Sequence, residues 1–268
     1  MNKVCCGTIS WTFKKRPLDD SAEWCGQVLA EVAQAGYDGV EMGARVESFG
    51  DDATGAVDAV RRLVDQNGLE LVRISSGATL REKLHMIAAC GASINMVGAG
   101  KRPGGQPSIE GIGDEAFKQV AADLDEEARV SREEFGLPTG LHNHLWTLAE
   151  NRHEVDRILD AAPHLQLVLD TAHLQAGGGD PIAAIEHYGE RICHVHLKDA
   201  HTSIFSPQPL TPGFVPLGEG NLKIDIPGCL RALARSGYSG WLGVELDMTD
   251  APLADNARSR DFLRKCGY

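Results

Sequence analysis

Short apolar runs alternate with longer amphipathic stretches along the whole chain. The apolar runs predict strands over Val4–Ser10, Gly39–Met42, Leu69–Ile74, Ser93–Val97, Thr139–His142, Leu165–Asp170, Ile192–Leu197 and Trp241–Leu246. Most are continuous rather than alternating, as expected of parallel strands buried on both faces. The stretches between them predict helices over Glu23–Ala35, Thr54–Asn67, Glu82–Cys90, Asp114–Phe135, Arg152–Ala161, Pro181–Tyr188, Ile226–Ser236 and Leu253–Lys265. Gly36, Gly68, Gly91, Gly136 and Gly237 follow five of these, where a helix most readily stops. Asp180-Pro181 opens another with an N-cap residue followed by proline at the first helical position.

Eight strand–helix pairs predict a single (β/α)8 TIM barrel over residues 1–268. The length of 268 residues suits such a barrel. A doubly wound sheet would need a glycine fingerprint after the first strand, and GTISWT is not one. Two Gly/Pro-rich stretches, Gly98–Gly113 and His201–Gly220, follow strands 4 and 7. In a barrel both fall on the C-terminal face, where loops carry function.

Composition narrows the partners. The net charge is −12, against a nucleic-acid backbone binder and against an anionic lipid surface. No apolar run is long enough to span a membrane, and the opening MNKVCCGTISWTFKK does not read as a signal peptide, so a cytoplasmic protein is expected. Seven cysteines without a CxxC pattern read as reduced, buried small hydrophobes.

The chemistry collects at the predicted strand ends. Glu41 ends strand 2, His142 and His144 strand 5, and Asp170 and His173 strand 6. His194, His196, Lys198 and Asp199 end strand 7, and Glu245 and Asp247 end strand 8. Singly, each reads as readily as a hydrogen-bonded structural residue or a rim ion-pair partner. Jointly, four successive strands ending LHNH, LVLDTAH, HVHLKD and GVELD would bury many charges at one rim, at high cost without a metal or partners. Neutral imidazoles with carboxylates suit a first-row divalent ion. Alternation puts His194 and His196 on one face, with His196 nearer the rim. It likewise pairs His142 with His144. Asp170 and His173 both face the rim only if the chain turns directly after strand 6. His85, His153, His164, His187 and His201 fall in helix or loop contexts and read as packing or surface residues.

LVLDTAHLQAGGGDP, CHVHLKDA, the GEG before the seventh helix and WLGVELD together resemble the xylose-isomerase-like TIM-barrel superfamily. GTISWT, HNH with the trailing Glu150, and DTAHL with GGDP look most like its inosose dehydratase branch. The resemblance implies one divalent cation (Mn, Zn, Co, Fe or Mg). Its ligands would be Asp170, His196, Glu245 and a fifth-strand group, for which Glu150 folding back from its loop is favoured and His142 is the alternative. In the epimerase branch a Glu stands where His142 stands here, and two metal-bound glutamates act as opposed acid and base. Here His142 or His144 would take the second role beside Glu245. Lys198 would hold an oxyanion or substrate hydroxyl, and His173 would contact substrate or metal. Glu41 and the aromatics Trp11 and Trp146, with Phe214, are expected to line a sugar pocket. Lys101 and Arg102 could meet a substrate phosphate or carboxylate, or simply form a solvated loop.

The reading favoured here is a metal-dependent isomerase/epimerase of a keto-sugar or sugar phosphate, working by proton abstraction next to a metal-bound carbonyl. An inosose-type dehydratase with the same metal site stands second. An endonuclease IV-like DNA repair hydrolase is distant, since it needs three metals and a DNA-binding face. A barrel that binds sugar without turnover is the non-catalytic option. The expected partner is a small sugar or cyclic polyol, with neither nucleic acid nor membrane, and self-association into a homo-oligomer is left open.

Overall fold

A computed structural model describes residues 2–12, 21–101, 112–205 and 213–268. Its barrel strands are β1 (Val4–Gly7), β2 (Gly39–Arg45), β3 (Glu70–Ser75), β4 (Asn95–Val97), β5 (Thr139–His142), β6 (Gln166–Asp170), β7 (Ile192–Leu197) and, last in the chain, β10 (Leu242–Val244). They pair in parallel in the order β3-β2-β1-β10-β7-β6-β5-β4. The N–H groups of Ser93 and Ile94, just ahead of β4, donate to Val72 O at 3.0 and 3.1 Å and join the two remaining edges. Between β7 and β10 a small antiparallel ribbon pairs β8 (Asp199–Ala200) with β9 (Phe214–Val215).

The helices are α1 (Ile9–Thr12), α2 (Ala22–Gln34), α3 (Ala53–Gln66), α4 (Leu80–Ala89), α5 (Asp114–Phe135), α6 (Arg152–Ala161), α7 (Thr171–Ala176), α8 (Pro181–Tyr188), α9 (Ile226–Arg235) and α10 (Pro252–Lys265). Local chemistry explains their ends. Ser21, Asp52 and Asp180 accept backbone N–H groups of the first turns they cap. Asn151 and Glu154 form a reciprocal capping box on α6. Gly136 closes α5 at φ 67°, a left-handed conformation that glycine takes without a Cβ penalty.

The barrel interior is layered. Toward the N-terminal strand ends, Cys5, Val72, Ile94 and Val168 pack together with Met96, Cys193 and Trp241. Trp241 fills the space left by Gly39, where a Cβ would stand 2.8 Å from the indole. This apolar plug excludes water from below. The polar side chains stack above it.

Several boundaries differ from expectation, and three local features bear on where expected site residues fall. Strand 1 ends at Gly7 rather than Ser10, and α1 follows at once, turning Trp11 away from the strand direction. β2 runs on to Arg45, so Glu41 lies within the strand instead of at its rim. α7 begins directly after β6 and supplies the turn that His173 needs. All seven cysteines are free, and five of them are buried. Among the described residues no helix is long and apolar enough to cross a membrane.

Candidate metal centre

Four side chains from four neighbouring strands converge at the C-terminal mouth: His142, Asp170, His196 and Glu245. One nitrogen or oxygen of each lies within 4.8 Å of the others. His196 Nδ1 is 3.1 Å from His142 Nε2, 3.2 Å from Glu245 Oε2 and 3.9 Å from Asp170 Oδ2. His142 Nε2 is 3.6 Å from Asp170 Oδ2. A tetrahedral cation with bonds of about 2.0–2.1 Å sets its ligand atoms about 3.3 Å apart, which these separations match.

Asp170 supplies the strongest sign that this group suits a cation. Its Oδ1 accepts the His173 N–H at 2.7 Å and caps α7. Its Oδ2 is buried with no hydrogen-bond partner. The nearest ammonium, Lys198 Nζ, stands 3.9 Å away and is engaged with Glu245 and Asp247, so a cation in the cluster would compensate an oxygen that is costly to bury without a hydrogen bond. Two imidazole nitrogens and two carboxylate oxygens are a donor set for Zn²⁺, Mn²⁺, Fe²⁺ or Co²⁺.

The backbone around Asp170 is held tightly. The amide of Asn143 clasps both main-chain groups of Asp170, accepting its N–H at 2.8 Å and donating to its C=O at 3.1 Å. Asn143 is fully buried between the two histidines of the HNH segment. Sequence reasoning passed over it; its position opposite the two inward-facing histidines was the available signal.

Electrostatics keep three of the four side chains in ligand form. Burial alone would raise the Glu245 carboxyl, but the Lys198 ammonium and then His196 outweigh it and hold it well below the usual range. Burial alone would also raise Asp170; His173 and Lys198 outweigh that, and it too stays low. Burial lowers His142 and so favours its neutral, lone-pair-bearing form. His196 goes the other way: burial opposes its charge, yet Glu41 and Glu245 raise it well above an ordinary histidine.

Lys198 is 1% exposed. Its ammonium donates to Asp247 Oδ1 at 2.6 Å and Glu245 Oε2 at 2.8 Å, and meets His173 Nε2 at 3.2 Å. An ammonium has three N–H donors, so all are engaged. The expected contact of Lys198 with a substrate oxygen therefore has no free donor here, and the residue acts through Glu245. Asp247, which the sequence places at the end of strand 8 without assigning it a role, completes this arrangement. Its carboxyl is raised by burial and by the neighbouring Glu245 charge, with Lys198 opposing. Phe214, brought back by the ribbon, lies 4.3 Å over the ammonium and 5.3 Å from the His173 ring.

The remaining expected residues divide. His144 and His173 stack with centroids 3.7 Å apart, beside His142. His144 Nδ1 lies 2.7 Å from Leu145 O, which fixes the proton there and leaves Nε2 as the exchanging atom. Glu150 does not join the cluster. Its Oε2 accepts the Trp146 N–H and its own N–H donates to Glu154 of the capping box, while His142 is the fifth-strand side chain within the cluster. Glu41 does not reach the mouth: it is 5% exposed and sits beneath His196, bonded to His194 and His196. Trp11 is buried at the foot of α2, its indole N–H donating to Glu31 at 2.6 Å, and does not line the site. Trp146 is 63% exposed and adopts φ 63°. Lys101 is exposed; Arg102 lies outside the described residues.

The molecule is thus a TIM barrel closed below by an apolar plug, with a His–Asp–His–Glu cluster at its C-terminal mouth that could hold a metal ion. The chain belongs to the xylose isomerase-like TIM barrel family, whose model matches residues 29–266. It is 29% identical over 277 residues to the rhizopine catabolism protein MocC of Rhizobium meliloti, covering 91% of this chain and 81% of that protein. It is 27% identical over 276 residues to an inosose dehydratase of Geobacillus kaustophilus, covering 91% and 86%. Among solved structures, a probable 3-DHS dehydratase, AsbF of Bacillus anthracis, superposes with a TM-score of 0.76 at 15% identity over 98% of both chains. A D-allulose 3-epimerase of Methylomonas sp. superposes with a TM-score of 0.73 at 18% identity, over 98% of this chain and 96% of that one. At these identities the structural likenesses establish the fold alone.

Proposed function

We propose that this protein is a divalent-metal-dependent dehydratase acting on a cyclic keto-polyol of the inosose type. The observation that carries the reading is the make-up of the mouth. Only one carboxylate of the cluster reaches it, Glu245, whose side chain is 18% exposed, whereas Asp170 is fully buried. The other groups that reach it are the imidazoles of His142 and His144 and the Asp247 carboxyl, which is bonded to Lys198 and stands outside the cluster. Epimerisation between two carboxylates needs a matched pair across one carbon. Elimination needs two unlike groups, a base for the C–H and an acid for the departing hydroxyl. Sequence similarity to inosose dehydratases along nearly the whole chain supports the same choice. Isomerase or epimerase chemistry, the reading favoured from sequence, stands second because it shares every step up to removal of the proton.

A divalent cation held by His142, Asp170, His196 and Glu245 would supply Lewis acidity to a carbonyl and acidify the adjoining C–H. The Glu245 carboxylate takes that proton, kept ionised by Lys198. His144 acts from its imidazolium form: with Nδ1–H held by Leu145 O, Nε2 gives its proton to the β-hydroxyl, which leaves as water, while stacking on His173 holds the ring in place. Glu245 then returns its proton to solvent and His144 regains one from it. The C–H and C–O bonds broken are replaced by one C=C bond and one water molecule.

The test is proton NMR of the metal-loaded protein with an inosose in D₂O. Dehydration predicts loss of a carbinol signal and a new conjugated ultraviolet band. Deuterium exchange and a second epimer with every hydroxyl retained would contradict it.

A further inference from the structure

Beneath the cluster lies a second polar layer that the proposed chemistry does not use. Glu41 Oε1 is 2.9 Å from His194 Nε2 and 3.6 Å from Cys5 Sγ, and Glu41 Oε2 is 3.0 Å from His196 Nε2. All four side chains are buried, none more than 5% exposed. His194 Nδ1 has no hydrogen-bond partner, so the ring's polar contact is with Glu41. Gly243 makes room for the arrangement: a Cβ there would stand 2.6 Å from Glu41 Oε1 and 2.9 Å from His194 Nε2.

We infer that Glu41 is a positioning residue that fixes the His196 ring so that Nδ1 is the atom offered to the cation. The inference rests on the metal-dependent reading above. An ionised carboxylate only accepts hydrogen bonds. Facing Glu41, His196 Nε2 must therefore carry a proton, and so must His194 Nε2. That leaves His196 Nδ1 as the nitrogen available for ligation. It is also the nitrogen that points at His142, Glu245 and Asp170. Carboxylates that orient ligating imidazoles in this way typically matter 10–100-fold in metal affinity. His194 and the Cys5 thiol hold Glu41 from the other side, which explains why a charged residue sits inside the barrel without reaching its rim.

Glu41→Gln separates this role from packing. The amide keeps the shape but has one acceptor oxygen and one donor nitrogen. It can accept from one imidazole only, and the other must move its proton to Nδ1 or lose its partner. The probe is Cd²⁺ titrated into metal-free protein labelled with ¹⁵N in histidine. The expected result is a 10–100-fold weaker dissociation constant in Glu41→Gln, with circular dichroism unchanged. In the wild type, ¹¹³Cd coupling is expected at Nδ1 of His196. Equal affinities in the two proteins, or coupling at Nε2, would overturn the inference while leaving the metal site standing. If Glu41→Gln fails to fold, the wild-type coupling decides alone. A wild-type protein that takes up no Cd²⁺ would instead overturn the metal-dependent reading itself.

Discussion

Lys198 Nζ lies 2.8 Å from Glu245 Oε2, and this contact keeps a carboxylate ionised at the mouth of an otherwise closed barrel. The same ammonium reaches Asp247 Oδ1 at 2.6 Å. Removing it with Lys198→Met would leave the largely buried Asp247 carboxylate with no counter-charge of its own, next to Glu245, which would keep only His196. Breaking buried pairs in this way costs about 3–5 kcal/mol. Urea denaturation should show a loss of that order at neutral pH. The loss should shrink as pH falls, because both carboxyls can then take up protons. A loss that is the same at every pH would mean the pairing is not its cause.

Loading the site should release a proton. Burial disfavours charge on His196, but Glu41 and Glu245 raise it well above an ordinary histidine, so its ring is cationic at neutral pH without metal. A cation can bind only the neutral nitrogen, so affinity must rise with pH and fall as the solution becomes more acidic. Calorimetric titration in two buffers of different ionisation enthalpy should report about one proton released per ion near pH 7. Heats independent of buffer would contradict the charge assigned to His196.

Gly243 faces inward at the level of the buried Glu41. Unlike a flexible surface side chain, Glu41 is pinned by two imidazoles and cannot swing aside. Gly243→Ala should therefore destabilise by about 1–3 kcal/mol, the range for overpacked cores. It should also weaken metal uptake, because His196 shares the displaced carboxylate. Thermal melts and metal titration of this variant check both effects, and unchanged values in both would show that the layer yields more easily than its contacts imply.

Much of this architecture was legible in the chain. All eight strands and eight of the helices follow from apolar runs and their glycine stops. The convergence of Asp170, His196 and Glu245 follows from each ending such a run on a neighbouring strand. What escaped depends on local hydrogen bonds that periodicity does not encode. Glu150 bonds the Trp146 N–H and the α6 capping box, and it is His142 that stands in the cluster. Glu41 looked like a rim residue because β2 reads as ending at Met42, although pairing with β3 carries the strand on to Arg45. Trp11 was misplaced for the related reason that β1 stops at Gly7 and a helical turn redirects the chain. The ribbon that seats Phe214 over Lys198 has strands of only two residues each, too short for any periodic signal.

Trp146 carries a bulky side chain at φ 63°, a conformation that costs about 1–2 kcal/mol for an L-residue. An exposed indole held at that cost beside His144 is expected to serve substrate binding. Trp146→Gly should leave stability unchanged or raise it by up to about 1 kcal/mol. KM for the keto-polyol should rise while metal affinity stays as it was. A variant with lowered stability and unaltered KM would assign the residue to packing instead.

Elemental analysis of the purified, metal-reconstituted protein tests the central claim most directly, on the wild type and on Asp170→Ala/His196→Ala. The account predicts one equivalent of a divalent first-row metal in the wild type and none in the double variant, with both proteins folded by circular dichroism. A wild type that holds no metal after reconstitution, or a folded double variant that keeps it, would contradict the site described here.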